Sequence, residues 1–241
     1  MKVGMTESTS KPSGAPPPQL GRIALHAVAS GLAPLIPIPF LDEYALRQVR
    51  ERMVRAVLAE HGLTSPPPKA VGILAGSHVT STLGGQLLGF FKSMALLPFR
   101  KVWRRAFLVL WVKDCVDMAS YSLHHGYLLH HAVARGDLSA RSLEGDAPNK
   151  VHDAILAACK EVDSRPINQL LGRLFQGSKL LIKEVTQALK TPLVGQPRVP
   201  EKEEDAEVAS LADRLTEALW EKRGYLTALQ ERYEKHIGSA R

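Results

Sequence analysis

An all-α fold is predicted by three observations. No stretch of the 241 residues keeps the period-two alternation of a half-buried strand. The β-branched residues scatter among Ala, Leu and Arg, and apolar residues recur at three- and four-residue spacing between clusters of Pro and Gly. Those clusters, at Pro34, Pro37 and Pro39, at 65–68, at 136–148, near Pro166 and at 191–200, cut the chain into about six helical segments. The expected architecture is a set of helical hairpins forming a bundle, followed by a C-terminal amphipathic helical region. Two stretches with almost no charge, 23–41 and 70–91, each precede a basic segment, and they add membrane association to that expectation.

The chain is long enough to bury a sizeable core without disulfides or metal. Its expected organisation is a disordered polar tail over 1–20, an apolar and basic helical domain over 21–136, an amphipathic helical pair over 147–191, a linker over 192–205 and a C-terminal helix over 206–237. The tail lacks the apolar core and small-residue cleavage site of a secretory signal. The formal net charge of +7 is unevenly spread. Residues 1–113 hold 14 Lys/Arg against 5 Asp/Glu, 114–200 hold 10 against 9, and 201–241 hold 7 against 10. The basic excess therefore travels with the apolar half. No reading helix or aromatic-laced basic stripe of a nucleic-acid binder accompanies it, so anionic lipid is the expected acidic surface.

The first helix is expected over 21–33, ended by Pro-Leu-Ile-Pro-Ile-Pro, because proline removes a donor and biases its predecessor away from helix. Asp42 then caps or opens a second helix to His61. Leu46, Val49, Met53, Val54, Val57 and Leu58 form its apolar face, with Arg47, Arg50, Arg52 and Arg55 on the remaining surface. Gly62 suits the C′ position. The third segment, AVGILAGSHVTSTLGGQLLGFF, is uncharged over the ~20 residues a spanning helix needs, yet is diluted by five glycines, His78 and Gln86. Insertion into lipid, interfacial attachment and burial in a bundle are its three readings. After Pro98, Arg100, Lys101, Arg104 and Arg105 surround Trp103 ahead of apolar 106–112, a composition suited to the headgroup layer. These five residues are the candidate lipid contacts.

Downstream, 147–162 reads as an amphipathic helix and Pro166 as a first-turn proline of the next, whose apolar stripe runs from Ile167 through Phe175 to Leu189. In the last helix Val208, Leu211, Leu215, Ala218, Tyr225 and Leu229 approximate a heptad seam interrupted by Lys222. It docks on its own bundle, or serves self-association or a protein partner. Cys115 and Cys159 sit among apolar neighbours without CxxC or zinc spacing and read as buried thiols of a reducing cytosol.

One cluster invites chemistry. Asp114, Asp117, Tyr121, His124, His125, His130 and His131 are read as one polar face of a helix whose other side is apolar. Carboxylates and imidazoles on a bundle face are what metal ligation requires, which makes Asp114, Asp117, His124, His125 and His131 the alternative metal ligands of a hydrolase-like enzyme. The order of upstream histidines, His152-Asp153 and Asp163 loosely resembles the metal phosphohydrolases built on a His-Asp pair. The ordinary reading leaves His152 and Asp153 exposed in a first helical turn. Neither a GxxxxGK[ST] phosphate loop nor a GxSxG elbow is present.

The layout IPIPFLDEYALRQVRERMVRAVLAEHG, then GGQLLGFFKSMALLPFRK, then LHHGYLLHHAVARG, resembles the helical membrane domain of YcjF-type bacterial proteins, also attached to some GTPases. The resemblance spans residues 21–136. It implies a bacterial membrane-associated helical module without assigned chemistry, and it carries no functional residue over to this chain. The expectation is a non-enzymatic, cytoplasmic scaffold or interaction module, peripheral to or embedded in the inner membrane, that needs no cofactor.

Overall fold

The computed structural model describes residues 14–33, 41–76, 100–178 and 202–239, with side chains for 14–33, 44–76, 112–178 and 206–239. Among these residues the structure is all-helical. Its elements are α1 (Pro18–Leu32), α2 (Leu41–Glu60), α3 (Pro68–Leu74), α4 (Arg100–Ala134), a short 3₁₀ turn (Ser142–Glu144), α5 (Ala147–Glu161), α6 (Arg165–Gln176), α7 (Lys202–Glu221) and α8 (Arg223–Ser239). The proline hinge at 34–39, most of the uncharged segment beyond Gly76, the apolar stripe beyond Ser178 and the linker to residue 201 lie outside the described residues.

Punctuation in the sequence sets the helix ends. Helices α1, α3, α5 and α6 carry proline in their first turn, where the missing N–H has no intrahelical partner to lose. Helix α2 closes in a Schellman motif: Gly62 adopts φ 80°, its N–H bonds the Ala59 carbonyl at 3.0 Å, and the Leu63 N–H bonds the Leu58 carbonyl at 2.9 Å. Helix α4 ends the same way at Gly136, φ 82°, with Asp137 N–H on the Ala132 carbonyl at 3.0 Å.

Helix α4 is the axis of the molecule. Its 35 residues span roughly 50 Å at 1.5 Å per residue. Two apolar cores stack along it. One joins Leu20, Ile23, Ala27 and Val28 of α1 to Cys115, Ala119 and Leu123 of α4, Ile167, Leu171 and Phe175 of α6, and Leu211, Leu215 and Leu219 of α7. The other joins Val54, Val57 and Leu58 of α2 and Val71 and Leu74 of α3 to Leu128, Leu129 and Ala132 of α4, Val151 and Ile155 of α5, and Leu229, Tyr233 and Ile237 of α8. Tyr127 packs against both. Helices from 147–176 and 206–237 thus complete the cores of helices drawn from 21–136.

Close approach of α1 to α4 and α6 depends on Gly31. A Cβ there would lie 2.6 Å from Phe175 Cζ and 2.8 Å from the Cys115 carbonyl oxygen.

The single C-terminal helix expected over 206–237 is instead two. The chain breaks at Lys222, whose N–H bonds the Leu219 carbonyl and whose carbonyl accepts from Tyr225 N–H, both at 2.9 Å. The break re-aims the seam: Leu211 and Leu215 enter the first core while Leu229 and Tyr233 enter the second.

Candidate functional site

At about 100° per residue, Asp114, Asp117, Tyr121, His124, His125 and His131 of α4 fall within an arc of about 120°, and His130 alone lies outside it. Because other helices pack around α4 on several sides, each histidine meets a different neighbour.

His124 faces α8. Its Nδ1 bonds the Ser120 carbonyl at 2.6 Å, so Nδ1 carries the hydrogen and Nε2 accepts one from the Tyr225 hydroxyl at 2.5 Å. Burial pushes His124 down to about 4. His125 points between α3 and α5. Its Nε2 donates to the Leu74 carbonyl, its ring lies 5.5 Å from that of His152, and burial drives it down to about 3. His130 lies against α2, with Nε2 3.9 Å from Glu60 and its ring 4.8 Å from that of His61. His131 meets α8 again, donating to Glu234 Oε1 at 2.9 Å with its ring edge-on to Tyr233. That hydrogen bond, with a second from Arg135, holds the Glu234 carboxyl below its usual range.

The two aspartates stand apart from these groups. Asp114 is half-buried and raised by desolvation, while Asp117 is exposed and paired with Lys113 at 2.8 Å. Among the described residues no three His, Cys, Asp or Glu side chains are grouped to hold a metal ion. The five alternative ligands are therefore found with separate partners.

His152, read from the sequence as exposed, is buried at 8% exposure against His125, whereas Asp153 is exposed. Asp163 is held by Arg165 at 2.7 Å, whose hydrogen bonds lower its carboxyl to about 2. Cys115 and Cys159 are free thiols, both raised to about 12 by burial. Arg100, Lys101, Trp103, Arg104 and Arg105 occupy the first turns of α4, and their side chains lie outside the described set.

One functional candidate escaped the sequence reading. Arg50 was placed on the solvent face of α2 with Arg47, Arg52 and Arg55, yet it is 6% exposed. Its guanidinium carbon sits 4.4 Å from the centroid of the Tyr121 ring, and Nη2 reaches Met118 Sδ at 3.7 Å. The signal was present in the spacing: Leu46, Arg50, Met53 and Val57 recur at four, three and four, so Arg50 sits within the buried stripe. Tyr121 in turn stacks on His125 at 5.5 Å. Arg50, Tyr121, His125 and His152 thereby form a continuous polar cluster between α2, α4 and α5.

No known protein family, no curated protein and no solved structure was found to match this chain. Among the described residues no helix is long and apolar enough to cross a membrane.

Proposed function

We propose that this protein is a non-enzymatic helical scaffold of the bacterial cytoplasm that attaches to anionic inner-membrane lipid through Arg100, Lys101, Trp103, Arg104 and Arg105. One observation carries the reading. The basic-aromatic group occupies the first two turns of α4, the helix on which α1, α2, α5, α6 and α8 all pack. At helical register the four cation positions fall within an arc of about 140°, with Trp103 at its flank. Attachment at that end fixes the axis of the whole bundle relative to the bilayer, leaving the C-terminal helices to meet a protein partner. Cations beside an anionic leaflet gain from its negative potential, and an indole suits the headgroup layer.

The test is co-sedimentation with phosphatidylglycerol vesicles against phosphatidylcholine vesicles. At about 1 kcal/mol per charge, replacing the four cations with Gln weakens binding to anionic vesicles by roughly a thousandfold. Equal binding by the wild type and the fourfold variant removes the proposed contact.

A further inference from the structure

Among the described residues the bundle buries a cation without an anion. Arg50 is 6% exposed, and its Nε has no hydrogen-bond partner. A guanidinium keeps its proton and presents five N–H donors, whereas the Tyr121 ring face and the Met118 thioether are weak acceptors. Burial of a charge in such company is costly unless an anion completes it. The acids nearby are committed elsewhere: Glu51 to Arg47 and Arg55, Glu60 to Arg22, and Asp117 to Lys113. Asp114 lies one turn before Met118, beside Lys113 and Asp117. Residues 77–99, which follow Gly76, contain no Asp or Glu.

A second polar atom in the same cluster is also unpartnered. His125 is 2% exposed and donates from Nε2 to the Leu74 carbonyl, which leaves Nδ1 as an acceptor, and this atom has no hydrogen-bond partner. Beside it the backbone comes close to the Tyr121 hydroxyl. Gly76 has φ 68°, and a Cβ there would stand 2.9 Å from Tyr121 Oη. The cluster thus presents a fork of donors, a hydroxyl and a single acceptor.

We propose that Arg50, Tyr121 and His125 form a binding site for a small phosphate-type oxyanion. The planar fork of Arg50 matches two phosphate oxygens. A protonated phosphate retains one O–H, which donates to His125 Nδ1, and its remaining oxygen accepts from the Tyr121 hydroxyl. A carboxylate satisfies Arg50 but has no hydrogen for Nδ1. Free phosphate offers all four contacts, and a lipid phosphate monoester offers the two oxygens and the O–H with its ester oxygen in the fourth place.

The experiment is thermal unfolding of the full chain at constant ionic strength. The additions are inorganic phosphate, acetate, or dihexanoyl phosphatidic acid below its micelle concentration. Wild-type Tm is expected to rise by roughly 5 °C at a hundredfold excess over Kd. Arg50→Met replaces the buried cation by an apolar chain, folds without an anion and shows no rise. Arg50→Lys keeps the charge without the fork and shows a smaller rise than wild type. A rise with inorganic phosphate assigns the site to free phosphate, and a rise with phosphatidic acid alone assigns it to the lipid; both support the proposal. It is overturned by a wild-type chain indifferent to both phosphates, by a rise of equal size in Arg50→Met, or by an equal rise with acetate. The fourfold Gln variant of 100–105 is expected to keep the phosphate response, so the membrane reading and this one fail independently.

Discussion

The Tyr225 hydroxyl donates to His124 Nε2 across the interface between α8 and α4, while Nδ1 of the same ring is held by the Ser120 carbonyl. The pair links residues 101 positions apart, and burial keeps the imidazole neutral, so Nδ1 donates while Nε2 accepts. Polar groups this deep specify how α8 docks, because a displaced helix would strand them.

Tyr225→Phe removes the donor and leaves a buried acceptor. Destabilisation of about 1–3 kcal/mol is expected in urea unfolding, with the helical signal of the folded state retained. Wild-type stability in Tyr225→Phe would show that the bond contributes nothing to docking.

Acid should loosen the bundle above the range where carboxylates titrate. His124 and His125 are depressed to about 4 and about 3, chiefly by burial, from an ordinary value of 6.5. A histidine lowered in the folded state contributes stability that is fully present above its unfolded value and is lost as pH falls toward its folded value. Stability is therefore expected to decline from about pH 6.5 downward, each unit of depression corresponding to about 1.4 kcal/mol. Chemical unfolding at pH 7.5, 6 and 5 checks it, and a flat profile across that range would contradict the burial of these two rings.

Two helical glycines should differ sharply on conversion to alanine. At Gly31 the new methyl meets a Phe175 ring carbon at 2.6 Å and the rigid Cys115 carbonyl at 2.8 Å. At Gly126 its nearest contact is Met53 Sδ at 2.7 Å, part of a flexible side chain that can turn aside. Gly31→Ala is expected to cost about 1–3 kcal/mol and Gly126→Ala clearly less, measured as paired urea midpoints.

Both thiols should be slow toward an aromatic disulfide reagent at pH 8. Burial raises Cys115 and Cys159 to about 12, which leaves almost no thiolate in the folded state. In denaturant two equivalents are expected to react at once. Rapid reaction of either in the native protein would place it outside the packed core.

The sequence carried the class of fold and most of its punctuation. The proline start of α6 and the glycine closure of α2 are local: they act through φ, missing donors and left-handed backbone, and these are legible residue by residue. The apolar sides of α5 and α6 were equally plain, since each of those helices buries one side. On helix α4 the register put all but His130 of the ionisable row on one side, but it said nothing of what covers that side. The packed neighbours bury His124 and His125 and sort the histidines into separate pairings with Tyr225, with Leu74 and His152, with Glu60, and with Glu234.

The same limit hid Arg50. Its spacing from Leu46, Met53 and Val57 placed it in the stripe, but its charge argued for solvent, and sequence alone offers no way to weigh the two. Only the tertiary structure decided, by bringing Tyr121 and Met118 of α4 against it. Periodicity and backbone conformation are short-range properties and were determined by the sequence directly. Which polar group loses its water depends on contacts between segments far apart in the chain, and those exist only once the helices have packed.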